Sequence, residues 1–579
     1  MNLSERFYAI IAVFFTLASC VEPDPGTPSY VTPETPQNVV LHGSTESSLT
    51  FQWNTVEGAT TYAWRLYGDE GSNKDGSTDK RNVTIDGLRS GTRYLFSVCA
   101  MGPGGKSGYS DDLEAVTQGE APKPGAKTVC VDAPLVLSLD AKPTLGTSGL
   151  IRIFTSSGTE ADRIDLADLA NVQTREDGCT VPSNPMGNDA KFNTFMDALP
   201  CSGKWRIVHY TPLRVEGKSL IIKPHSGALK FDTEYYVTVD QGVVEGFAGN
   251  GPGEWTFTTS SAPASASSLR VAADGSGDFC TLQRAFDYAD KAGCEITVAP
   301  GTYAEMLFLR DKGNITIKGD SRNGVRIVYP NCESYASGSG GSASSKPSLG
   351  ASIGKTGGRN VFLVENCDNL VLESLTIENS FGSTNGQAET VYFNSGSNAH
   401  RLTVENCSLL SYQDTFLCKG IVWVHKSLIA GHCDFIWGYP KACLFEDCEI
   451  RARAAGYIIQ ARVQSATDKG FVFLNCELTA EDGVKDGSMY LARSAGQADC
   501  FDNVTFVNCT MGSIIAPEGW HVSDKAIPNP SVPTAESGWK EYGSVDASGK
   551  AVTGHNAYGR VLTADEAAAY SSRQAVLGY

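Results

Sequence analysis

One phrase recurs through the second half of this 579-residue chain and limits what it can fold into. A short run of alternating apolar residues ends in a polar residue, and a small or sulfur-bearing residue often follows. Leu402-Thr403-Val404-Glu405-Asn406-Cys407 is one copy, and Val422-Trp423-Val424-His425-Lys426-Ser427 is another. Taking Asn379, Asn406, Lys426, Asp447, Asn475 and Asn508 as markers, the spacings are 27, 20, 21, 28 and 33 residues. A basal period near 20 with irregular excess is the signature of a solenoid with loops inserted at some corners. Short strands without helical periodicity between them disfavour doubly wound and barrel α/β folds. The expected fold class is all-β: a C-terminal right-handed parallel β-helix preceded by two β-sandwich domains. Cys407, Cys448, Cys476 and Cys509 each follow a marker, which fits buried, stacked residues better than a disulfide framework. Cys179 and Cys201 are the best candidates for a bridge.

The same markers give a candidate site. Counting eight residues on from Asn379, Asn406 and Lys426 reaches Gln387, Asp414 and Asp434. In a solenoid, residues of one phase stack about 4.8 Å apart. Two carboxylates that close titrate as a pair and suit acid–base or nucleophilic work.

The rest of the chain divides by composition. Residues 1–19 read as a signal peptide: Arg6 precedes the apolar run Phe7 to Ala18, and Leu17-Ala18-Ser19-Cys20 resembles the lipobox of bacterial lipoproteins, with Cys20 as the acylated residue. Residues 20–35 are a Pro-rich linker. Residues 36–118 alternate as strands; Trp53, Tyr62, Leu88 and Tyr94 fall where a fibronectin type III sandwich keeps its core. Residues 122–260 resemble a bacterial Ig-like domain, with Asp162 to Pro200 unassigned. Thr281 to Ala292 reads as a capping helix, Ser337 to Ser348 as a flexible loop, and residues 267–579 as the β-helix domain. A net charge of −18 argues against a nucleic-acid partner and requires a locally basic site for any acidic polymer. The expected location is the bacterial outer membrane, at the cell surface or in the periplasm, reached by export and held by a lipid anchor alone. The expected state is a monomer.

Four ordered segments carry a resemblance to the pectin methylesterases (pectinesterases), a carbohydrate esterase family. They are Gly301-Thr302-Tyr303-Ala304-Glu305, Gln387 to Val391, Tyr412-Gln413-Asp414-Thr415 and Asp434-Phe435-Ile436-Trp437-Gly438. Gln460-Ala461-Arg462 and Tyr490-Leu491-Ala492-Arg493 are similar to two further ones. The resemblance implies hydrolysis of the C6 methyl esters of homogalacturonan, with pectin as the partner and no metal or cofactor. It implies Asp434 as nucleophile, Asp414 as acid and then base, Gln387 and Gln413 as oxyanion donors, and Arg493 as the partner of Asp434. It also implies sugar contacts from Trp437, Phe435 and Tyr412. The sequence departs from the family where Ser494-Ala495 replaces Pro-Trp and where Leu417 replaces Tyr; Trp423, Trp520 and Trp539 are candidates to compensate. Two alternatives remain: a related ester or thioester hydrolase on the same solenoid, and a non-catalytic glycan-binding surface protein.

Overall fold

The computed structural model describes residues 31–579, apart from 46, 69–72, 89–90, 118–119, 140, 188 and 355–356. The signal peptide and Cys20 lie outside the described residues. Two compact units divide the chain at about residue 116.

The first unit has a three-stranded antiparallel sheet, Val40–Ser44, Ser48–Gln52 and Asn82–Asp86. A second sheet is built on Thr61–Gly68 and Arg93–Gly102. Trp53, Tyr62 and Tyr94 are buried as the alternation requires, and the Phe51 and Phe96 rings stack 3.9 Å apart.

The second unit holds a sandwich and the solenoid. Ala126–Val129, Asn250–Thr259, Glu234–Val239, Leu150–Thr155 and Glu160–Asp165 form one sheet of the sandwich. Leu213–Glu216, Ser219–Ile222, Leu135–Ser138 and Glu120–Ala121 form the other. The unassigned stretch contains the hairpin Val172–Thr174 with Thr180–Pro182 and the first strand of a second, Met196–Cys201 with Lys204–His209. Cys179 and Cys201 are separate free thiols: Cys201 lies against the Phe286 and Arg310 carbonyls, and Cys179 sits in the turn after Asp177. The expected bridge between them is therefore absent.

From Ser268–Val271 to Gly559–Val561, 24 parallel strands follow one another around the solenoid. The capping helix is shorter than its pattern suggests, Leu282–Tyr288, because the chain leaves helical geometry at Ala289. Thr281 caps its start, and Asp132 of the sandwich accepts from the backbone of Cys280 and Thr281. Glu305 accepts from the Leu282 and Gln283 amides, so the Gly301–Glu305 segment has a structural part in the fold.

The marker residues are the corners. Asn406, Lys426, Asp447, Asn475 and Asn508 all have φ between 48° and 55°, a left-handed turn that Asn and Asp tolerate best. The next residue, usually Cys, then points inward; Cys407, Cys448, Cys476 and Cys509 are all buried. Phe445, Phe473 and Phe506 stack along the interior at 4.7 and 4.5 Å. The first marker is different. Strand register places Glu373 opposite Glu405, so the corner that stacks on Asn406 is Ser374, at φ 55°, and not Asn379.

Candidate active site

Two corners with short, equal connections bring the carboxylates together. Gln413 pairs in parallel with Cys433, and Phe416 with Ile436, so Asp414 and Asp434 occupy neighbouring coils in one register. The Asp414 amide donates to the Cys433 carbonyl at 3.0 Å. Both Asp residues are buried and both adopt positive φ, 64° and 47°. Gln387 does not share that phase. It pairs with Gln413, and Ala388 stands opposite Asp414. The eight-residue count from Asn379 reached Gln387 only because the loop Ser380 to Gly386 offsets the wrong starting corner. The two glutamines thus form one column, and the two aspartates form the next.

The surroundings of the two carboxylates differ. Arg493 reaches both oxygens of Asp434: Nε donates to Oδ1 at 2.8 Å and Nη2 donates to Oδ2. The Asp434 carboxylate in turn holds the Arg493 guanidinium firmly charged. Gln460 Nε2 adds a third donor to Asp434 Oδ2 at 2.8 Å. The Gln460 amide oxygen accepts from Arg462 Nε at 3.0 Å, which fixes the amide with its NH₂ on Asp434. A fork and an amide thus converge on one carboxylate.

Among the described residues Asp414 has one cationic contact, Arg359 Nη2 to Oδ2 at 2.9 Å. Arg359 also donates from Nε to both Glu389 oxygens, at 2.9 and 3.0 Å, and from Nη1 to Glu333 and to Gln387 Oε1. Burial and then the Glu389 charge push the Asp414 carboxyl well above the usual carboxylate range; Arg359 opposes this and Asp434 adds to it. One carboxylate is gripped by donors, while burial and a neighbouring negative charge favour the protonated form of the other, so their environments differ.

The expected sugar contacts divide. Phe435 is fully enclosed in the solenoid core, so it cannot meet a substrate. An inward phase of the strand puts it there. Trp437 is 7% exposed; its ring lies under Arg462, 4.8 Å away, and its indole N–H is enclosed without a partner among the described residues. Tyr412 is half-buried beneath Arg453, with the guanidinium 4.3 Å from the ring centre. None of the compensating tryptophans serves: Trp520 and Trp539 are buried and stacked on each other, and Trp423 stacks on His425 under Arg573. Ser494, in place of the missing Pro, turns inward to Asp502 at 2.8 Å. Arg453, Arg462 and Arg493 are all half-buried; Arg453 is paired with Glu481 and Arg493 with Asp434, and of the three Arg462 alone has no carboxylate partner among the described residues.

Arg359, Glu389 and Glu333 were not among the sequence candidates. Glu389 lies inside the Gln387–Val391 segment, where a carboxylate entering a strand was the one available signal. Arg359 follows a long insertion and carries none.

A family model described as Pectinesterase matches residues 268–578. Models of the Fibronectin type III domain and of a Bacterial Ig-like domain match residues 34–116 and 184–259. Pectinesterase 31 of Arabidopsis thaliana is 32% identical over 259 residues, covering 44% of this chain and 76% of that protein. Probable pectinesterase A of Aspergillus niger is 28% identical over 274 residues, covering 45% and 75%. Among solved structures, pectin methylesterase PemA from Erwinia chrysanthemi aligns over 54% of this chain and 96% of its own, at 25% identity and a TM-score of 0.43.

Proposed function

The chain belongs to the pectinesterase family and is a carboxylic ester hydrolase of pectin, and we propose that Asp434 and Asp414 divide the reaction between them. The Asp434 carboxylate attacks the C6 ester carbonyl of a methylated galacturonate. The carbonyl oxygen takes up the negative charge and receives hydrogen bonds from the amide groups of Gln387 and Gln413. Asp414 gives its proton to the departing methoxide, which leaves as methanol and leaves an acyl-enzyme anhydride on Asp434. Asp414, now ionised, takes a proton from water, and the resulting hydroxide attacks the anhydride. Galacturonic acid departs and gives its proton to solvent, and both carboxyl groups return to their starting states.

The observation that carries this division is the asymmetry of partners: a fork and an amide on Asp434, against burial and a charge-balanced arginine on Asp414. The half-buried Arg462, which has no carboxylate partner among the described residues, supports binding of a polymer that becomes anionic as it is processed. Methanol release from highly methylated pectin is the test. Wild-type protein should release it, and Asp434→Asn should not, with an unchanged melting profile; release by the variant at the wild-type rate would overturn the assignment. The substrate is homogalacturonan, bound by a monomer without metal or cofactor. Leu17-Ala18-Ser19-Cys20 supports attachment to the outer membrane through a lipid on Cys20. Mass spectrometry of the N-terminal peptide checks this: an unmodified Cys20 would rule it out.

A further inference from the structure

We propose that Arg359 and Glu389 are a positioning pair for Asp414: Arg359 holds the Asp414 carboxyl and the Gln387 amide in place, and Glu389 offsets the charge Arg359 brings. This rests on Asp414 being the acid.

Every edge of the Arg359 guanidinium is used. Nε faces Glu389, Nη1 faces Glu333 and Gln387 Oε1, and Nη2 faces Asp414 Oδ2. Two consequences follow from these contacts. With its amide oxygen engaged at 2.6 Å, Gln387 must direct its NH₂ elsewhere, as an oxyanion donor needs. The second concerns charge. An arginine alone beside a carboxyl holds it ionised, which would disable an acid. Glu389 is completely buried and places both oxygens on Nε of the same guanidinium, on the edge it shares with the Nη2 that meets Asp414, so its negative charge opposes that of Arg359 there. Burial works against the charge on Arg359, but its carboxylate neighbours, Glu389 first, outweigh it. The other groups acting on Asp414 are Asp434, itself paired with Arg493, and Arg462; Glu333 lies on the outer edge of Arg359.

The backbone that carries Arg359 is also fixed. Arg206, completely buried in the hairpin strand Lys204–His209, donates to the carbonyls of Gly357, Gly358, Asn360 and Val361, on both sides of Arg359, and to Leu307. The stretch expected as a flexible loop is tied to the same hairpin, where Ala343 pairs with Trp205, and the Arg359 amide donates to the Gly338 carbonyl.

The test is the pH dependence of kcat/KM for methanol release from highly methylated pectin, on full-length protein. No release by the wild type would defeat the hydrolase reading itself, independently of this pair. Given release, Glu389→Gln should move the alkaline limb, where Asp414 loses its proton, down by about one pH unit, with KM changed by less than about twofold. Glu389→Asp keeps the charge and should leave the limb in place while lowering kcat. The double variant Arg359→Met with Glu389→Gln removes both charges. Its limb should lie near the wild-type position, with kcat reduced by about 10² because Gln387 is no longer held. A Glu389→Gln limb that coincides with wild type would overturn the proposal. If that single variant does not fold, the double variant decides: reduced kcat with a wild-type limb supports the pair, and wild-type kcat overturns it.

Discussion

Asp414 and Asp434 share a backbone conformation as well as a register, at φ 64° and 47°. Positive φ at a non-glycine residue costs energy and persists where its surroundings over-determine it. Here the parallel ladder on either side does so, aiming both carboxylates out of one face. Trp437 is a residue whose chemistry is only partly used. Its ring is covered by Arg462, yet its enclosed N–H has no partner among the described residues. An unmade hydrogen bond of that kind costs about 1–3 kcal/mol. Trp437→Phe removes the cost and some packing together, so its melting temperature should fall by no more than about 2 °C. A drop of ten degrees would show that the N–H is satisfied.

At the scale of the element, the corner sets the phase. Lys426 is an exposed lysine at φ 48°, in a column otherwise filled mainly by Asn and Asp. Lys426→Asn should stabilise the protein by about 0.5–1 kcal/mol, read by denaturant titration, and a loss of stability would contradict this account of the corner. The corner also explains what the sequence could disclose. Asp414 and Asp434 are each eight residues beyond true corners, with no inserted loop, so counting along the chain placed them in one register. Gln387 follows a loop, and Ser374, its true corner, lacks the Asn or Asp signal; the count therefore missed its column by one residue. Arg359 meets Asp414 from the far side of a long insertion, and spacing carries no information across it. Phe435 looked like a sugar contact by resemblance, but the strand's inward phase buries it.

At the scale of the molecule, the sandwich in the second unit and the Met196–His209 hairpin are both joined to the solenoid by polar contacts. Asp132 accepts from the backbone of Cys280 and Thr281 just before the solenoid's first helix, and Arg206 clasps the backbone around Arg359. The Ig-like match to residues 184–259 covers only the later part of a sandwich whose core begins at Leu135. His225 is a charged strut within it. Nδ1 donates to Asp162 at 2.8 Å and Nε2 to the Thr194 carbonyl at 2.9 Å, so both nitrogens carry protons. Burial works against that charge, but Asp162 outweighs it and raises the pKa from 6.5 to about 9. The folded state binds the proton more tightly than the unfolded chain. Its contribution is therefore complete below pH 6.5 and is lost as pH rises to about 9. The melting temperature should fall across that window in wild-type protein and fall less in His225→Gln; identical slopes would contradict this.

The division of labour between the two carboxylates is tested most directly by an aryl ester of galacturonate, whose leaving group needs no acid. Asp414→Asn should release phenol in a burst that matches the enzyme concentration and should carry the acyl group on the peptide containing Asp434. Asp434→Asn should give neither burst nor adduct. A burst from Asp434→Asn, or an adduct on the peptide of Asp414, would contradict the account.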